Sequence, residues 1–284
     1  MTLALASFGA FAQEGAGMTS KKGEAILPEV NDWALSINAA PVMNYLGNML
    51  NGNLGNASPS WGSPVPLAIT GKMFKDEKTA YRAMVRLGFG SATKNNIVTK
   101  DGTTTAETVT DEWKAAYNQI LLGGGLEMRR GKTRLQGFYG GMLMFGMGGS
   151  KDTYTYGNAF ATTNQTPTST TSWSTIPNGG TASGSRTKES KAGSTMMIGL
   201  RGFIGAEYFI FPKMAIGAEF GWGLGMSSTG EGETTTESWD AAATPPAVKT
   251  TTTKTGKSSS FGLDTDVNSA QMVPTGALTL TLHF

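Results

Sequence analysis

Cysteine is absent from this chain and histidine occurs once, at His283. No disulfide framework can form, thiolate metal sites are excluded, and a transition-metal centre has too few soft ligands to be expected. Charge is scarce: 15% of 284 residues are charged, against about a quarter in a soluble domain. The net charge of +2 comes with no basic run and no aromatic-basic stripe, so nucleic acid is not an expected partner. No stretch of about 18 apolar residues occurs, which excludes a transmembrane helix. A chain of this kind that crosses a membrane must do so as a closed barrel, where strand pairing satisfies every backbone amide. What is abundant is glycine, with 39 residues, about twice the usual share. They follow no collagen repeat and point to Gly-rich strands or loops.

The N-terminus reads as a targeting segment. Leu3 to Ala12 is a short apolar run ending in Ala10-Phe11-Ala12, the small-x-small pattern of a signal-peptidase site. Residues 1–12 are therefore expected to be a signal peptide whose positively charged start is missing. Residues 13–30 follow as an N-terminal periplasmic segment, and 31–284 as the barrel.

Beyond residue 30 the chain alternates with period two in about eight segments, the signature of pleated strands with two unlike faces. Met214, Ile216, Ala218, Phe220, Trp222, Leu224 and Met226 share one parity; Ala215, Gly217, Glu219, Gly221, Gly223 and Gly225 share the other. A bulky apolar row backed by glycine and one carboxylate suits a strand between lipid and a crowded lumen. The last segment, Met272 to Phe284, alternates likewise, with Leu278, Leu280, Leu282 and Phe284 on one face. Segments around Trp33–Ala39, Leu67–Met73, Tyr81–Gly90, Gln119–Met128, Arg134–Phe145 and Thr195–Ile210 complete the eight. The fold expected is an all-β, antiparallel up-and-down transmembrane barrel.

Connections alternate strictly between long and short. Lys75–Lys78, Arg130-Gly131-Lys132 and Phe211-Pro212-Lys213 are tight; roughly 48–63, 91–112, 148–190 and 227–270 are long. Outer-membrane barrels show this asymmetry, with short periplasmic turns and long outer loops, which places both termini in the periplasm. The Thr/Ser-rich tracts 162–175 and 250–260 carry little apolar content and need not adopt one conformation. Aromatic residues of the apolar faces fall into two belts. Trp33, Tyr81, Tyr208 and Phe284 lie near one end, and Phe89, Phe145 and Trp222 near the other. Tyr81 and Phe89 are eight residues apart, about 20 Å of height at a tilt near 40°, close to the apolar band of such barrels.

The ending Leu280-Thr281-Leu282-His283-Phe284 resembles the C-terminal strand of outer-membrane barrels, with a terminal aromatic residue and apolar residues at alternate positions before it. In layout the chain is similar to small eight-stranded barrels such as OmpX and the membrane part of OmpA. It is closer still to the broad class of outer membrane protein β-barrel domains. Asp32-Trp33 through Asn38-Ala39-Ala40-Pro41 to Asn44-Tyr45-Leu46-Gly47-Asn48 resembles the opening of that class, and Arg129 to Gly140 one of its hairpins. The resemblance implies a Gram-negative outer-membrane location, contact with lipid and lipopolysaccharide, and reading of Leu278, Leu280, Leu282 and Phe284 by the barrel-assembly machinery. It departs from OmpA in lacking a peptidoglycan-binding domain after the last strand.

The chemistry expected lies inside. Lys72, Arg82, Arg86, Arg134 and Arg201 fall on the inward parity with Glu127, Glu207 and Glu219. Opposite charges in a narrow lumen pair, because an unpaired buried charge costs several kcal/mol. Eight strands leave an interior just wide enough for side chains to fill, so a plugged polar core is favoured over a gated path. Asp264 and Asp266 read as solvated loop charges rather than a calcium site. The run Gly125 to Gly131-Lys132-Thr133 has the wrong spacing for a phosphate-binding loop, and no helix follows it. His283, at a strand end, offers no general base. The expected role is a non-enzymatic scaffold without cofactor, presenting surface loops to a ligand or a neighbouring membrane protein. A solute or ion pore, and an outer-leaflet lipid-modifying enzyme, are the alternatives.

Overall fold

A computed structural model describes residues 18–39, 45, 47–51, 69–104, 107–173, 180–265 and 277–284. Its strands, in chain order, are β1 (Trp33–Asn38), β2 (Ile69–Asp76), β3 (Thr79–Thr99), β4 (Thr108–Arg130) and β5 (Leu135–Thr155). Then come β6 (Thr168–Ser169), β7 (Thr181–Ala182), β8 (Ser185–Lys191), β9 (Thr195–Phe211) and β10 (Met214–Thr229). β11 (Glu233–Asp240), β12 (Ala247–Lys254), β13 (Ser258–Thr265) and β14 (Ala277–His283) complete the series. The fold is all-β, built on one large antiparallel sheet.

Eight of these strands pair in a cycle. β1 pairs β2, β2 pairs β3, β3 pairs β4, β4 pairs β5, β5 pairs β9, β9 pairs β10, β10 pairs β14, and β14 returns to β1, all antiparallel. The ring they make is not evenly round. The expected tight connections join β2 to β3, β4 to β5 and β9 to β10. The outer half of β10, from Trp222, pairs β13 while its inner half pairs β14.

The strand count corrects the sequence expectation: the described residues hold fourteen strands, not eight. Three connections expected to be long loops carry strands of their own. β3 and β4 run on as one hairpin to Thr99 and Thr108, and β5 extends to Thr155. β8, β11 and β12 continue the same sheet from the outer end of β5. The tract 250–260, which by composition need not adopt one conformation, supplies most of β12 and the start of β13. Low apolar content misled here, because threonine favours strands and a hairpin satisfies its backbone without a core. Residues 1–17, and most of the connection between β1 and β2, lie outside the described residues.

Segment 156–173 folds onto the hairpin of β3 and β4. Asp111, fully buried, accepts hydrogen bonds from Gly157 N at 2.9 Å and from Thr170 N and Oγ1 at 2.7 and 2.9 Å. Asp101 accepts from Asn164 and Thr168 N. Burial pushes the Asp101 carboxyl up, but these bonds and the Arg186 charge prevail and hold it below the usual carboxylate value. Burial also pushes the Tyr156 phenol, under the Arg186 guanidinium, up to about 12.

At the opposite end, where the short turns lie, the N-terminal segment caps the interior. Ile26 is buried against Phe209 and Ala215, with Met18 and Leu27 beside it. The Ile26 carbonyl accepts from Lys213 N at 3.2 Å, and Lys213 Nζ reaches Glu29 at 3.1 Å and Asp32. Burial alone would lower the Lys213 pKa, but the bonds to Asp32 and Glu29 outweigh it and raise the pKa above the ordinary lysine value. A raised folded pKa means that this tether is complete below the ordinary value and is lost as pH rises through the folded one. Hydrogen exchange should therefore show residues 18–32 losing protection in the alkaline range before the strands do. Burying an isoleucine is worth about 1.5–3 kcal/mol, so Ile26→Asp should release the same segment at neutral pH. Unchanged protection at 18–32 in that variant would show that Ile26 is not the anchor.

Candidate functional site

The cycle of strands turns its faces in opposite senses to a water-soluble sheet. Leu87, Leu143, Leu200, Ile204 and Met226 are each more than half exposed, while Glu127 and Glu207 are buried completely or nearly so. Strand alternation explains the separation, since each step reverses the face. Its sign, apolar outward and ionic inward, is what the sheet imposes on these residues together.

The inward charges form one network. Lys72 on β2 lies 3.0 Å from Glu127 on β4 and 2.7 Å from Glu207 on β9. Arg129 bridges the same two carboxylates, at 2.9 and 2.6 Å, and donates to Gln136 at 3.0 Å. One level further from the turns, Glu219 on β10 is held between Arg82 at 2.6 Å and Arg201 at 2.5 Å. Arg82 also reaches Glu127 at 3.4 Å, which joins the two levels. Strand register builds the upper clamp, because Arg82, Gly125, Met142 and Arg201 are successive cross-strand partners. Both guanidiniums lie over the Phe203 ring, at 4.4 and 5.7 Å. Glu207 also accepts from Thr281 at 3.3 Å, and Thr281 meets Ser36 at 2.8 Å, which ties in β14 and β1.

Apolar layers close the network above and below. A buried cluster of Met84, Leu121, Phe138, Met142, Met144 and Phe203 packs among and beyond the ion pairs, with Lys72 over the Phe138 ring at 4.9 Å. On the turn side Phe74 and Phe209 flank His283, with ring centroids 5.4 and 5.3 Å away. Neither His283 ring nitrogen has a hydrogen-bond partner among the described residues.

Of the inward charges read from the sequence, Lys72, Arg82, Glu127, Arg201, Glu207 and Glu219 meet in this network. Two stand apart. Arg86 is half-buried, beyond Met84 on β3. Arg134 lies at the turn end and donates to the carbonyls of Phe209 and Ile210 at 3.0 and 3.3 Å. Arg129 was missed, although it shares the parity of Glu127, because the alternating segment was read only as far as Met128, just short of the Arg130-Gly131-Lys132 turn. β4 in fact continues through Arg130, so parity carried one step further finds it. The aromatic belt residues Trp33, Tyr81, Phe89, Phe145, Tyr208 and Trp222 are all exposed on the outer face, as are Leu278, Leu282 and Phe284 of the last strand, while Leu280 is half-buried. Asp266 lies outside the described residues. Asp264 is placed by its backbone only, on β13 opposite Gly223.

No protein-family model matches the chain, and no curated protein or solved structure is detectably similar to it.

Chemically the network is a filled core. Each carboxylate is shared by two or more cations from other positions, so removing one strands buried charge. Breaking a buried pair costs about 3–5 kcal/mol, whereas an exposed pair is worth about 1 kcal/mol or less. Glu207→Gln should therefore lower the urea midpoint of the refolded protein far more than Lys254→Ala, whose bridge to Glu231 lies on the surface. Equal midpoints for the two variants would contradict a structural role for the network.

Proposed function

We propose that the chain is an integral outer-membrane β-barrel whose eight-strand cycle forms the wall, whose ionic core plugs the lumen, and whose outer sheets are the working surface. The observation that carries this reading is the inside-out distribution of side chains. Buried ion pairs lie within a continuous belt of exposed Leu, Ile, Met and aromatic residues. In water such a belt far exceeds the apolar patches that a monomeric protein tolerates. Against lipid it is the favoured arrangement, and the cyclic pairing leaves few backbone groups of the wall unsatisfied.

The belt is edged as a bilayer requires. Trp33, Tyr81 and Tyr208 lie toward the short turns, and Phe89, Phe145 and Trp222 toward the extended hairpins. Such residues favour the membrane–water interface. Phe284 and the leucines before it then serve as the assembly signal. The short turns and the N-terminal cap face the periplasm, and the strands β8, β11 and β12 stand at the cell surface, facing lipopolysaccharide and external ligands. A scaffold is favoured over a pore because ion pairs and Met/Phe layers fill the interior, and conduction needs a continuous water path.

Membrane fractions run on a gel with and without boiling test the assignment. The unboiled protein should sit in the outer-membrane fraction and migrate differently from the boiled form, and purified protein should give no stable single-channel steps. Recovery in the soluble fraction would sink the barrel. Stable conductance would replace the scaffold with a pore.

A further inference from the structure

Tyr117 is an exception to the sorting of faces. It lies on the parity of Trp113, Leu121 and Glu127, the inward face of β4, yet it is 58% exposed. Two glycines on the neighbouring strand explain how the ring lies. Gly90 is its direct cross-strand partner, and a Cβ added there would come within 2.4 Å of the ring; one added at Gly88 would be 3.7 Å away. The phenol ring is therefore laid over a stretch of β3 that has no side chains on its inward face. Covering bare glycine backbone accounts for one face of the ring. It does not account for the other, which is open.

The surface continuing outward from Tyr117 is smooth and then walled. The next inward row is Ala92, Ala115 and Asp152, and the row beyond is Lys94, Trp113 and Tyr154, each set made of cross-strand partners. Trp173 comes down from segment 156–173 between Trp113 and Tyr154, its ring centroid 6.2 Å from each. Asp152 accepts from Trp113 Nε1 at 2.9 Å, and Lys94 donates to the Trp173 carbonyl at 2.9 Å and lies over the Trp113 ring. The aromatic wall is thus held rigidly by its own contacts. Tyr117 and Trp113 are four residues apart on one face, about 13 Å along a strand.

We propose that this inward face of the β3–β5 extension is a binding subsite for a neutral oligosaccharide. A pyranose ring has an apolar C–H face that stacks on a flat aromatic ring, and hydroxyls around its edge that need donors and acceptors. Tyr117 supplies the open ring face, the two alanines a floor without obstruction, and Asp152 and Lys94 the polar groups at the side. Lys94 and Asp152 balance each other, so this pair selects neither an anion nor a cation. Ring and floor are set by strand backbone rather than by loops, which keeps the ordering cost of binding low. The inference rests on the proposal that this end of the sheet faces the cell exterior, where glycans are met.

The test is a titration of the purified full-length protein in detergent micelles with maltohexaose, cellohexaose, laminarihexaose and chitohexaose, read by tryptophan emission from Trp113 and Trp173. At least one should give a saturable change. Tyr117→Leu, which still covers the glycines but has no flat ring, should weaken binding roughly tenfold, a loss of the size expected for one aromatic stacking contact. Tyr117→Phe should retain it, and Tyr139→Leu on the outer face should leave it unaltered. The gel shift on boiling confirms that each variant is folded. No saturable response to any of the four sugars up to about 10 mM, or equal affinity in Tyr117→Leu, overturns the proposal. A failed barrel assignment is registered separately, in the membrane fractions.

Discussion

Three buried carboxylates, each shared by cations from other positions, are the joints on which the arrangement of strands depends. Glu127, Glu207 and Glu219 connect Lys72, Arg82, Arg129 and Arg201, and so bind together β2, β3, β4, β9 and β10. Buried ion pairs add little net stability, because desolvation offsets most of the Coulomb gain. Their effect is on specificity. Slipping a strand by one residue would turn every side chain to the other face, carrying charge into the outer belt and leucine into the ionic core. The network therefore penalises every register but one.

The small inward residues and the charges depend on each other. Long arginine and lysine side chains cross a narrow interior only if the facing positions are empty, and the glycine rows of β4, β5, β9 and β10 leave that room. At Gly221 an added Cβ would come within 2.8 Å of the Arg201 guanidinium, and at Gly205 within 2.3 Å of the Phe138 ring. The high glycine content of the chain thus has a volumetric cause. The same emptiness recurs outside the core at Gly88 and Gly90, where a tyrosine ring rather than an arginine occupies it.

Much of the wall was legible because its signal is local. Eight alternating segments and six of the seven networked charges follow from parity, read along β2, β3, β4, β9 and β10, and the three tight turns from the short gaps between segments. The outer sheets were not legible. Ser185–Lys191, Glu233–Asp240 and Ala247–Lys254 have little alternation of polarity, since both of their faces meet water, so the pattern that marks a half-buried strand is missing. Arg129 was lost because the alternation was followed only to Met128, while β4 continues through Arg130. The aromatic wall was invisible for another reason: Trp113 and Trp173 are sixty residues apart in the chain, with no motif between them.

Sequence by itself determined which side chains share a face, because a pleated strand alternates with period two and that period is written into adjacent residues. It also determined that apolar and charged residues would separate, whatever the strands paired with. Tertiary structure decided which charges meet. Lys72 is 55 residues from Glu127 and 135 from Glu207, and no local rule selects either partner. Only the order and register of the paired strands bring them within 3.1 Å, where removing them from water becomes tolerable.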